Sequence, residues 1–140
     1  MHWSGNWALG VALIVITIMG HSLALFSTRL RIIAILGNYY SDETFDLRFA
    51  LAIGAVVLFV TVLIAIAAAL WASIYTLIGA LADFPSAMLY SLEAMTTFGH
   101  ANVYLTPQWE FLGALEALNG VILIGLSTAF IFSVLHSVQR

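Results

Sequence analysis

Three stretches of the chain, residues 1–28, 49–82 and 117–139, contain no Asp, Glu, Lys or Arg. Each exceeds the roughly 20 helical residues that a bilayer core demands. With 63% of its 140 residues hydrophobic and only 8% charged, the whole chain lies outside the composition of soluble domains. It reads as an integral membrane protein, all α-helical, with three transmembrane helices. The first run lacks the basic n-region of a signal peptide, and its apolar part, 7–26, is long enough to span, so a retained helix is expected. Cysteine is absent, which excludes disulfides, thiolate chemistry and cysteine metal sites.

The basic residues are Arg29, Arg31, Arg48 and Arg140. If three helices alternate in direction, all four fall on one side, and short arginine-bearing segments stay in the cytoplasm. The N-terminus and residues 83–108 then face outward and the C-terminus is cytoplasmic, in a multi-pass plasma-membrane arrangement.

Along the chain, 1–28 is an N-terminal transmembrane helix, apolar nearly all round, interrupted by Gly10, Gly20 and His21. A hydrogen bond from His21 to a neighbouring helix is expected rather than a proton relay. Residues 29–48 form a cytoplasmic connection, with a turn signal at Gly37 and Asn38 and the polar cluster Ser41, Asp42, Glu43 and Thr44. Residues 49–140 hold an outer helix (49–75), a short helix (83–97), a non-helical string (97–102) and an inner helix (109–138). The short helix has Asp83 as its N-cap and Pro85 in its first turn. At about 20 Å it cannot cross a bilayer, so the segment enters and returns on one face. Irregular backbone at membrane depth is tolerated only where it is shielded by protein or lines a wet cavity.

The string reads Thr96, Thr97, Phe98, Gly99, His100, Ala101, Asn102. It resembles the potassium-channel selectivity filter, Thr-Val-Gly-Tyr-Gly-Asp: Thr97 and Gly99 match, while Phe98, His100, Ala101 and Asn102 stand for Val, Tyr, Gly and Asp. The helix before it, from Tyr90 to Thr97, and the span after it, from Trp109 through Asn119 and Gly120 to Ser127, Thr128 and Phe130, are similar to the pore helix and inner helix of short bacterial potassium-channel-like proteins with one extra N-terminal helix. The likeness covers residues 50–136 and is strongest from Asp83 onward.

That resemblance implies a homotetrameric pore in which carbonyls of Thr97, Phe98, Gly99 and His100, with the Thr97 hydroxyl, replace the hydration shell of a cation. Ala101 sits where a second glycine would be, and a left-handed L-residue there costs about 1–2 kcal/mol in each subunit. A changed outer filter and reduced potassium selectivity are therefore expected. His100 replaces a bracing aromatic hydroxyl and, with a reference pKa of about 6.5, would place positive charge beside the path on acidification.

Tyr90 and Glu93 support the filter in this reading, Glu93 bonding Asn102 or His100 or else facing vestibule water. Gly120 and Gly125 are either hinges or packing surfaces. Ser127 and Thr128 either line the inner cavity or mouth or are packing surfaces like the two glycines, and Glu116 braces the short helix from behind. His100 and Asn102 with Glu93 could alternatively collect a divalent metal, although their spacing matches no dedicated site.

The function expected is passive conduction of potassium or several monovalent cations, with no cofactor. Two alternatives stand beside it: a channel fold repurposed for a divalent metal or small solute, and a non-conducting structural or regulatory subunit. No phosphate loop or nucleophilic triad suggests an enzyme, and four basic residues cannot make a nucleic-acid surface. The partners expected are three further copies and the lipid bilayer, and gating either lies in the membrane part itself or depends on a separate regulatory subunit.

Overall fold

The computed structural model describes residues 3–38, 47–99 and 102–138. Four helices follow one another: α1, Trp3–Gly37; α2, Leu47–Leu77; α3, Phe84–Met95; and α4, Glu110–Val138. No strand occurs among the described residues. The helices α1, α2 and α4 are each long and apolar enough to cross a membrane. Helix α3, with 12 residues, reaches only about 18 Å.

Two long-range contacts order the ends of the bundle. Asn6 Nδ2 donates to the Gln108 carbonyl at 2.8 Å, and the Thr106 N–H donates to the Ala80 carbonyl at 3.3 Å. The start of α1, the end of α2 and the start of α4 therefore share one end. At the other, Leu36 of α1, Val56 of α2 and Val134 of α4 form a small buried cluster. Helices α1 and α4 run parallel, and α2 runs against both.

Helix α1 continues through residues 29–37, a stretch that the sequence reading assigns to the connection. Arginine is a good helix former, so Arg29 and Arg31 do not end the helix, and no breaker occurs before Gly37. Packing holds the extension down: Leu36 is buried, and Arg29 reaches the hydroxyls of Ser133 and Ser137 at 3.3 and 3.4 Å.

Helix α1 is joined to α4 along most of its length. Gly10 lets α1 approach closely over Leu112 and Leu115. Buried Thr17 Oγ1 lies 3.1 Å from the Asn119 side-chain amide, and buried His21 Nε2 lies 2.9 Å from Ser127 Oγ. Because the Ser127 proton is directed at the Leu123 carbonyl, 2.7 Å away, the imidazole Nε2 is the donor in that pair. In an apolar medium such bonds between helices supply what the hydrophobic effect cannot.

The main core lies between α2, α3 and α4, around Trp71, Tyr75, Tyr90, Met95, Leu112 and Leu123. Ala68, Ala72, Ala87 and Ala94 are buried there, and their small side chains let the short helix sit close against its neighbours.

Candidate functional site

The site is the excursion from Ala80 to Thr106, built by α3 and the string that follows it. Helix α3 begins on Asp83, whose backbone is extended and whose carboxylate accepts from the Ser86 N–H and the Ser86 hydroxyl, both at 2.9 Å. Pro85 occupies the first turn, where its missing N–H costs nothing.

Three successive turns of α4 receive α3. Gly113 leaves room for the Tyr90 ring and hydroxyl. Glu116, fully buried, accepts from Tyr75 Oη of α2 at 2.7 Å and faces the Ser91 hydroxyl of α3. A side chain at Gly120 would collide with the backbone of Met95, the last residue of α3. Tyr75 and Tyr90 meet edge to face with centroids 5.5 Å apart, a favoured aromatic geometry.

Gly120 lies about 15 Å along α4 from its start, so α3 ends about that far along α4. The chain then turns back. Leu105 is buried beside Gly113, and the Thr106–Ala80 hydrogen bond closes the excursion at the level where it opened.

At the turning point, the N–H of Phe98 bonds the Glu93 carbonyl and that of Thr97 bonds the Ala94 carbonyl, both at 3.0 Å. That pair of bonds is a Schellman helix end, whose left-handed position usually belongs to glycine. Here it is filled by Thr97, with φ of +56°. Gly99 is left-handed as well, at +94°, and Phe98 between them is not. Handedness therefore alternates over 97–99. Thr96 turns its hydroxyl back to the Leu92 carbonyl at 2.7 Å, and Thr96, Thr97, Phe98 and Gly99 are all exposed in the single chain.

The remaining expected residues divide clearly. Tyr90 is buried against Gly113 and Tyr75, Glu93 is half-buried on α3 and Asn102 is exposed. His100 and Ala101 lie outside the described residues. Gly120 is a packing glycine, whereas nothing approaches the position of a side chain at Gly125. Ser127 is held by His21 and is buried rather than lining an opening. Thr128 is exposed, its hydroxyl on the Ile124 carbonyl at 2.9 Å. Gly125 and Thr128 belong to an open stripe of α4 that includes Ala114, Leu118, Val121 and Phe132, spaced alternately by four and three residues. Among the described residues, no group of three or more His, Asp or Glu side chains gathers to hold a metal.

Sequence reasoning finds Glu116 as the carboxylate about two turns into the third span, but not its partner Tyr75, which lies 41 residues away. The hydroxyl-bearing residues Thr17 and Ser127, which join α1 to α4, carry no signal of each other in the chain. Compared with known families, curated proteins and solved structures, the chain matches none.

Proposed function

We propose that four copies of this chain form a passive cation channel of potassium-channel type with an altered filter, conducting potassium or several monovalent cations. The excursion from Ala80 to Thr106 carries this reading: a helix of half-membrane depth delivers an exposed string and the chain returns to its point of entry. A turning point of this kind within a membrane needs water or protein around it, and a single copy leaves Thr96, Thr97, Phe98 and Gly99 uncovered. Assembly about an axis would bring four such strings together, and alternating handedness is what directs successive carbonyls toward one side. The open stripe of α4 with Gly125 and Thr128 would then face the axis or a neighbouring copy. The arginine-bearing end lies in the cytoplasm, and the N-terminus and the string face outward.

One observation favours a non-conducting subunit instead. The left-handed Thr97 satisfies a Schellman helix end by itself, and such an end needs no ion. The two readings part in a single preparation. Purified protein is sized by native mass spectrometry and reconstituted in liposomes, and uptake of potassium, rubidium, caesium and sodium is followed at neutral and acidic pH. A tetramer passing potassium and rubidium is the expected result; a stable tetramer passing none of the four cations leaves the subunit reading.

A further inference from the structure

Helix α1 meets α4 through Gly10, Thr17 and His21, but its seam with α2 is hollow. At the end where α1 finishes and α2 begins, Ile32, Ile35, Ala52, Ala55 and Phe59 wall a recess of about 220 Å³. Ile35 and Ala52 also wall a second recess, of about 480 Å³, beside Leu51. The two therefore adjoin. A third hollow, of about 320 Å³, lies farther along the same seam between Gly20 and Leu63, and nothing stands near an added side chain at Gly20.

The walls are apolar and the mouth is cationic. Arg31 lines the first recess and Arg48 the second, and both are exposed. Arg29, two residues before Arg31, turns instead to Ser133 and Ser137 of α4. Guanidinium groups from two different helices thus border one apolar recess, and each presents a planar fork of donors that matches phosphate oxygens. From Arg31 back to Gly20 is about 16 Å along α1, and one leaflet supplies about half of the roughly 30 Å hydrocarbon core. The seam has the depth for one acyl chain hanging from a phosphate at its mouth.

We propose that the seam between α1 and α2 binds one anionic phospholipid, its phosphate between Arg31 and Arg48 and an acyl chain along Ile35, Ala52 and Ala55. Two positive charges against one phosphate favour a headgroup of net negative charge over a zwitterionic one. Basic recesses between helices at a membrane surface select anionic lipids in this way, and the cytoplasmic leaflet, which the arginines favour for this end, is the one that carries them. The site needs only α1 and α2 of a single chain and does not depend on the channel reading.

The whole chain, purified in detergent, is titrated with dioleoylphosphatidylglycerol and with dioleoylphosphatidylcholine, and bound lipid and oligomeric state are read together by native mass spectrometry. Phosphatidylglycerol is expected to bind about tenfold more tightly than phosphatidylcholine. Arg31→Gln and Arg48→Gln should each weaken phosphatidylglycerol about fivefold, the worth of one charge at a membrane surface, and leave phosphatidylcholine nearly unchanged. Arg29→Gln, whose guanidinium is turned to α4, should stay within about twofold of the parent. Ala55→Phe fills the recess and should weaken both lipids roughly tenfold, the worth of about two methylenes left unburied.

Equal affinity for the two lipids, or equal losses in Arg29→Gln and Arg31→Gln, would reduce the arginines to general surface charge and overturn the proposal. So would an Ala55→Phe protein that changes its oligomeric state and keeps its lipid, since the seam would then be covered by a second copy. If Ala55→Phe does not fold, the exposed arginines decide.

Discussion

Helices α2 and α3 end with the same pair of backbone hydrogen bonds, yet in opposite circumstances. At the end of α2, the Ala80 N–H reaches the Tyr75 carbonyl at 2.8 Å and the Gly79 N–H reaches that of Thr76 at 3.2 Å. Gly79 takes the left-handed position with φ of +68° at no steric cost, and the next residue, Ala80, is buried in the core. At the end of α3, Thr97 takes the same position and Phe98 is exposed. One end has the glycine and the packed apolar residue that stabilise such a turn; the other has neither. The unfavourable end is the one that rests on α4 at Gly120 and carries the exposed string. Strain kept at one site while an equivalent site has none is a mark of function, and it makes Thr97, rather than the glycines around it, the residue to question.

The largest expected effect tests what holds the strained end in place. Gly120→Val should destabilise the protein by about 3 kcal/mol or prevent folding, because its side chain meets the Met95 backbone, which cannot yield as a side chain could. Thermal unfolding in detergent measures this, and a cost near zero would mean that α3 does not rest on α4 there.

Gly79→Thr makes the stable end resemble the strained one. Nothing lies near its added side chain, so the cost should be that of backbone handedness alone, about 1–2 kcal/mol. The reverse exchange, Thr97→Gly, should stabilise by about 1 kcal/mol, with the gain shown by a higher unfolding temperature. If the two exchanges fail to show opposite signs, the ends are not equivalent and the comparison falls. Smallest of all is Gly125→Ala on the open stripe of α4, expected to stabilise the protein by about 0.5 kcal/mol, because within one chain the added methyl meets nothing and alanine is the better helix former.

Much of the scaffold was legible in the chain, for reasons that differ by element. The three spans announce themselves through charge-free runs, since a charge in hydrocarbon is costly enough to be kept out. The start of α3 was readable from Asp83 and Pro85 because capping is local chemistry, and Ser86 bonds Asp83 as such a cap should. The continuation of α1 over 29–37 was not readable: Arg29 and Arg31 resemble a membrane boundary, and the contacts with Ser133, Ser137, Val56 and Val134 that hold the stretch down lie far away in the chain.

The candidate site was legible in part. Thr97 and Gly99 stand out in the string, but the Schellman end depends on conformation, and threonine is a poor signal for a position that glycine usually fills. Gly120 and Gly125 look alike in the sequence, and only their neighbours separate a packing glycine from an open one. Glu116 could be suspected from its isolation, whereas Tyr75 and Ser91 are unremarkable until three helices bring them together.

The most direct measurement is the ratio of potassium to sodium flux from liposomes holding the parent protein and the Thr97→Gly variant, each paired with its unfolding temperature. A parent that prefers potassium and a variant that is more stable but has lost that preference is the expected outcome, placing the strained threonine in the cation path. Equal ratios in the two proteins, or no flux from either, would contradict the claim that the strain at Thr97 is kept for conduction.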